Sequence, residues 1–298
     1  MTVMDRTTLH LADGRALDVR TAGPTDSDVL VFCHGTPQSA GLDRVTLQAA
    51  LDRGLRVVAW SRPGYSTSSG QPGRTVASFA DDAREVLDQL GISTCLVAGW
   101  SGGGPHALSL GAGLPDRVRA VAVLAGVAPY AESQGSLDFL AGMGEDNIAE
   151  FGAAIEGEQP LREFLAEVVP VMAEIQRDDV VEAMGTLLPD EDRAWIAGDF
   201  GIDLATGFRE AVELGMEGWV DDDLAFVSPW GFELGLIDVP VAIWQGSEDL
   251  MVPAAHGPWL VEHVAGARPH LLEGEGHLSV VLGRVGEILD DLVALGRR

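Results

Sequence analysis

The sequence contains no lysine: its nineteen basic residues are all arginine, set against 46 acidic ones, and the formal net charge is -27. So acidic a surface repels polyanions, and no Arg-rich or aromatic-interleaved stripe reverses this locally, so nucleic acid is excluded as an expected partner. A GC-rich coding bias or a salty habitat would each remove lysine, and the undiminished apolar content favours the first. Cysteine is scarce too. Cys33 and Cys95 each lie inside an apolar run that reads as a buried strand, which excludes a disulfide framework and suits reduced thiols in a cytoplasmic protein. No apolar run approaches the roughly twenty residues of a bilayer span. Residues 1–20 carry charges throughout and lack the apolar stretch of a signal peptide, so neither secretion nor membrane insertion is signalled. Internal repeats and low-complexity tracts are absent. What is present, 46% hydrophobic and 22% charged residues in 298, is the balance of a globular chain with a sizeable core.

Five short apolar runs bounded by Gly, Pro or polar residues read as buried parallel strands: Val29 to Cys33, Arg56 to Trp60, Thr94 to Ala98, Ala120 to Ala125 and Val239 to Trp244. Between them lie helical patterns. From Val76 to Leu90 the apolar residues recur on one face, with Thr75 placed to cap the start and Gly91 to end the helix. Thr7 to Ala12 and Ala16 to Thr21 flank Asp13-Gly14, a hairpin signal, so the sheet should open with an antiparallel pair. A last strand near Arg268 to Leu272 and a closing helix from Leu278 to Leu295 complete an α/β protein with a mostly parallel eight-stranded sheet covered on both faces. Between about Glu132 and Trp230 the alternation stops and only helical patterns appear, such as Leu161 to Ile175 and Ile202 to Leu214. This divides the chain into a core of residues 1–131 and 231–298 and an inserted helical cap of residues 132–230. The cap reads either as a lid over a substrate pocket or as a second structural lobe; sites in such sheets lie at the carboxyl ends of the strands, which favours the lid.

Gly99-Trp100-Ser101-Gly102-Gly103 follows one strand directly and precedes a helix from about Gly104 to Gly113, the context of a nucleophile elbow. A serine on so sharp a turn packs closely against its neighbours, so the residues two before and two after must be glycine. A serine hydroxyl needs a base to take its proton. Of seven histidines, His277 lies in a Gly-rich loop after the last strand and before the last helix, where an imidazole could be presented to Ser101. His10, His106, His256, His263 and His270 read as surface or packing residues. The base needs an acid to hold its tautomer. Asp249, in Gln245-Gly246-Ser247-Glu248-Asp249 at the carboxyl end of a strand, is preferred over its neighbour Glu248; after Ala120 to Ala125, Gly126, Val127 and Ala128 offer no carboxylate. Oxyanion donors are expected from the backbone N–H of Gly102 and from His34-Gly35-Thr36-Pro37, where Thr36 can donate and Pro37 cannot. His34 reads as a clamp within that loop.

With these motifs in order, the chain resembles the capped α/β-hydrolase superfamily, which includes esterases, carbon-carbon bond hydrolases, epoxide hydrolases, haloalkane dehalogenases, proline iminopeptidases and cofactor-free haloperoxidases. His34 to Pro37 matches the oxyanion loop, Ser61-Arg62-Pro63-Gly64-Tyr65 the loop after the next strand, Gly99 to Gly103 the elbow, Gln245 to Asp249 the acid loop and Gly276-His277 the histidine loop. The resemblance implies the α/β-hydrolase fold and a triad of Ser101, Asp249 and His277. Ser101 stands where epoxide hydrolases and dehalogenases of the superfamily carry Asp, which argues against those chemistries. Proline iminopeptidases usually carry Trp after the nucleophile, and here Gly102 follows while Trp100 precedes.

The expectation is a serine hydrolase cleaving an ester or related carbonyl bond of a small, mainly apolar substrate, with no metal or organic cofactor, acting as a monomer or homodimer. Trp100, Phe139, Phe151, Phe164, Met172, Met184, Trp195 and Trp219 are candidate pocket walls, or equally cap core. Glu145, Asp146, Glu150 and Glu156 could meet a substrate amine, but on so acidic a chain a solvated face is the simpler reading. Carbon-carbon hydrolysis and perhydrolysis by the same triad are alternatives, as is a small-molecule receptor that keeps the fold.

Overall fold

The computed structural model describes residues 4–297. A hairpin, β1 (Asp5–His10) and β2 (Ala16–Ala22), opens the chain, followed by β3 (Val29–Cys33), α1 (Arg44–Asp52), β4 (Arg56–Trp60), α2 (Phe79–Gln89), β5 (Cys95–Trp100), α3 (Gly103–Gly113) and β6 (Val118–Leu124). Six helices then run without a strand: α4 (Glu145–Glu156), α5 (Glu158–Glu174), α6 (Arg177–Ala183), α7 (Asp190–Ile196), α8 (Asp199–Ala211) and α9 (Glu217–Val227). The chain returns to the sheet with β7 (Val241–Gly246), α10 (His256–His263), β8 (Arg268–Leu272), α11 (Ser279–Leu282) and α12 (Val285–Leu295).

The eight strands lie in the order β1-β2-β4-β3-β5-β6-β7-β8, antiparallel at β1-β2-β4 and parallel from β4 onward. Side chains alternate across the central strands, and this builds two cores. Val31, Cys33, Val58 and Val97 face the layer of α2, α3 and α10, whereas Leu30, Phe32, Val57 and Leu96 face α1 and α12. Burial accounts for the thiols: removal from water pushes both Cys33 and Cys95 up to about 12, so neither is a nucleophile near neutrality.

Several boundaries differ from the sequence expectation, each for a local reason. Helix α2 begins at Phe79 instead of Val76, because Phe79, Ala80 and Asp81 donate to carbonyls three residues back and form tighter turns before the helix proper. The closing helix is two helices: Gly283 and Arg284 interrupt it, glycine being a poor helix former. Strand β7 starts at Val241, past Pro240, which has no N–H for the ladder, and extends to Gly246 through pairing with Leu272. Strands β5 and β6 likewise end together at Trp100 and Leu124.

The segment between β6 and β7 is rooted in the core at both ends. Phe139 and Met143 enter the α2–α3 core from one end, and Phe226 and Trp230 from the other. Its remaining helices enclose two smaller apolar clusters: one joins Phe200 and Phe208 to Met251 and Leu278, and the other joins Leu161 and Leu165 to Tyr65 and Trp219. Among the described residues, no helix is long and apolar enough to cross a membrane.

Candidate active site

Ser101 follows β5 directly and has φ +56°, the left-handed region that an L-residue occupies at a cost of roughly 1–3 kcal/mol. The turn is possible only because its flanks have no side chains. A Cβ on Gly99 would lie 2.2 Å from the Gly103 carbonyl oxygen, and one on Gly103 would lie 2.1 Å from that of Cys33. Gly102 is constrained as well, since a Cβ there would lie 2.3 Å from Thr36 Oγ1. The elbow therefore sits against the loop after β3. Among the described residues, the backbone N–H groups of Gly102 and Thr36 donate to no protein acceptor, so both remain free for a ligand oxygen.

His277 lies in the loop between β8 and α11. Its Nδ1–H donates to Asp249 Oδ2 at 2.8 Å, which leaves Nε2 as the acceptor. Asp249 is buried and fully engaged: Oδ1 accepts from the Met251 and Val252 N–H groups at 2.9 and 2.8 Å, and Oδ2 also accepts from Gln245 Nε2 at 3.0 Å. Burial opposes a charge on the imidazole, but the Asp249 charge and hydrogen bond outweigh it, with Asp192 contributing, and hold His277 above the ordinary histidine value. Glu248, the rival acid, is exposed and takes the Ser247 hydroxyl instead.

The other histidines are engaged elsewhere. In His34, Nδ1–H donates to the Gly35 carbonyl at 2.7 Å and Nε2 accepts the Arg62 N–H at 3.0 Å; burial first and then Arg62 hold it neutral, well below the ordinary value. Burial lowers His106 to about 3 and His256 to about 4, and both bond backbone groups. His263 stacks on Trp259 and His270 on Trp244.

The loop carrying Thr36 is held from behind by a buried charge cluster that the sequence reading missed. Arg62 donates to the His34 carbonyl at 2.5 Å, to the Gly35 carbonyl at 2.9 Å and to Thr36 Oγ1 at 2.8 Å, and pairs with Asp222 at 2.6 Å. Asp222, on α9, also accepts from Thr36 Oγ1, Tyr65 OH and Arg74. Burial alone would raise the Asp222 carboxyl; Arg62 and Arg74 outweigh it and hold it well below the usual carboxylate range. The available signal was an acidic triplet, Asp221 to Asp223, on a helix flanked by Trp219 and Phe226, and all three of these acids are buried.

Ser101 and His277 open into one cavity of about 280 Å³. The core contributes Gly35, Thr36, Pro37, Gln38, Leu42 and Trp100, and the helices after β6 contribute Phe164, Met172, Met184, Phe200, Phe208 and Trp219. Among the described residues, the only other ionisable side chains on the wall are His34 and the carboxylates Asp43, Asp146, Glu150 and Asp203, and no Arg lines it. Glu145 and Glu156 do not line it. Three expected walls also lie elsewhere. Phe139 and Phe151 are buried in the core, edge to face with each other, and Phe139 packs on His256. Trp195 packs against the apolar cluster around Leu278 and beside Gly283. Each is drawn off by apolar partners that sequence spacing does not reveal. Among the described residues, no group of three His, Cys, Asp or Glu side chains is placed to hold a metal ion.

The family described as alpha/beta hydrolase fold matches residues 28–153. A non-heme chloroperoxidase of Streptomyces lividans is 28% identical over 91% of this chain and 92% of its own length. A bifunctional esterase/perhydrolase of Acinetobacter calcoaceticus is 32% identical over 39% of this chain and 43% of its own. Among solved structures, an esterase from Exiguobacterium antarcticum superposes with a TM-score of 0.69 at 21% identity, covering 98% of this chain and 99% of that one. Sheet order and solved neighbours agree: the chain has the α/β-hydrolase fold.

Proposed function

We propose that the protein is a serine hydrolase that cleaves an ester or related carbonyl bond of a small, mainly apolar substrate. The observation that carries this reading is the placement of Ser101, at positive φ, on the same cavity as an imidazole whose far nitrogen is bonded to a buried carboxylate. His277 Nε2 takes the Ser101 proton as the oxygen attacks the carbonyl carbon, and Asp249 stabilises the imidazolium. The oxyanion is received by the free N–H groups of Gly102 and Thr36. His277 then protonates the departing alcohol, and water, deprotonated by the same imidazole, releases the acid from the acyl-enzyme. The apolar walls from the helices after β6 serve as a lid that selects the acyl or alcohol chain.

A second reading, perhydrolysis, is supported by two relatives, a chloroperoxidase and an esterase/perhydrolase. In it hydrogen peroxide replaces water at the acyl-enzyme and leaves as a peracid. Both readings are tested by a p-nitrophenyl ester chain-length series run on the parent and Ser101→Ala, with and without peroxide. A burst equal to the enzyme concentration and steady turnover, both lost in the variant, are expected. Turnover that survives in Ser101→Ala removes both readings.

A further inference from the structure

The helices between β6 and β7 supply more than apolar walls. Asp192, on α7, is fully buried, and its carboxylate accepts the N–H of Leu278 at 3.0 Å and of Ser279 at 2.8 Å, the two residues that follow His277. It also lies against the residue before: a Cβ on Gly276 would sit 2.6 Å from either carboxylate oxygen, so only glycine admits the contact. The backbone on both sides of His277 is thus gripped by one carboxylate from a distant part of the chain.

We infer that Asp192 is a positioning residue for His277, fixing the backbone that presents the imidazole to Ser101 and placing a second negative charge beside it. The inference rests on the serine-hydrolase reading for its catalytic consequence, though not for the placement itself. The charged groups acting on His277 are Asp249, from the loop after β7, and Asp192, from α7; β5 and the elbow present Trp100 and Ser101, neither of them charged. Burial pushes the Asp192 carboxyl up, and the Leu278 and Ser279 N–H groups, followed by His277, pull against it. Each N–H bonds a different carboxylate oxygen, so asparagine keeps one acceptor and sets its NH2 against the other N–H: it removes the charge and one of the two bonds, whereas alanine removes everything.

The test uses the whole chain as the parent, Asp192→Asn, Asp192→Ala and Ser101→Ala. Ester turnover in Ser101→Ala judges the serine-hydrolase reading by itself. The titration of His277, followed by NMR of ring-labelled histidine, needs no turnover and judges the placement. Asp192→Ala is expected to lower kcat roughly 10- to 100-fold with KM nearly unchanged, the scale of a displaced catalytic group. Asp192→Asn, which keeps one of the two bonds, should recover part of that kcat, while His277 titrates at lower pH than in the parent and the acid limb of kcat/KM moves down with it. If Asp192→Ala does not fold, the Asp192→Asn titration decides. Variants that lose thermal stability yet keep the parent's kcat and His277 titration would assign Asp192 a structural role only and overturn the inference.

Discussion

Replacing Asp222 with alanine removes the one carboxylate that two buried guanidiniums share. The Arg62 and Asp222 side chains are both 0% exposed and that of Arg74 is 3% exposed, so water cannot take the place of the lost partner. Breaking such a pair from one side costs about 3–5 kcal/mol, because the remaining charges stay buried without compensation. At roughly 2–4 °C per kcal/mol for a domain of this size class, the midpoint of thermal unfolding should fall by about 6–20 °C. The pH dependence gives an independent check. The Asp222 carboxyl is held below its unfolded value, so the stability it contributes is complete above the ordinary carboxylate range and is lost as pH falls towards the folded value. The gap between parent and variant should therefore be full at neutral pH and should shrink in acid. Replacing Asp222, Arg62 and Arg74 together by apolar residues of similar volume should restore part of the stability: no charge is then stranded, but the His34 and Gly35 carbonyls lose the donor that Arg62 supplies. Urea unfolding of the three proteins across pH is the assay. An Asp222→Ala variant within about 1 kcal/mol of the parent at neutral pH, the median worth of an exposed pair, would refute the argument that this cluster is sealed from solvent.

Phe139→Ala should cost about 3–5 kcal/mol by opening a core cavity while leaving KM alone, and Met172→Ala should change ester chain-length preference instead; urea midpoints and KM values measured side by side would expose a reversal. Because Asp249 holds His277 above the ordinary histidine value, the acid limb of kcat/KM should lie above about pH 6.5 and activity should fall below it, as the imidazole there is already protonated. A limb below that pH would contradict the charge balance drawn around His277. Gly103→Ala should abolish turnover and lower stability, since its Cβ meets the Cys33 carbonyl oxygen at 2.1 Å; a variant with parental kcat would show that the elbow can relax.

The parts of this protein legible in its sequence are those governed by neighbours along the chain. The runs Val29–Cys33, Arg56–Trp60 and Arg268–Leu272 coincide with strands end to end, because a short apolar run between breakers has few other fates in an alternating α/β pattern. The spacing of Gly99 and Gly103 about Ser101 is likewise a local steric demand, written within five residues. Boundaries drifted where hydrogen-bond detail decides, as at Val76 and Gly283. What only the tertiary structure decided depends on contacts between distant segments. Asp221, Asp222 and Asp223 are chemically alike and adjacent, and only the approach of α9 to Arg62 and Arg74 selects the middle one as their shared partner. Phe139 and Phe164 are equally plausible pocket walls on paper, and His256 draws the first into the core while the second is left on the cavity. Asp192 lies 85 residues before His277 by number and reaches its loop only because α7 folds back over the carboxyl end of the sheet. A carboxylate's role follows from which buried N–H or guanidinium it meets, and sequence spacing carries no record of that meeting.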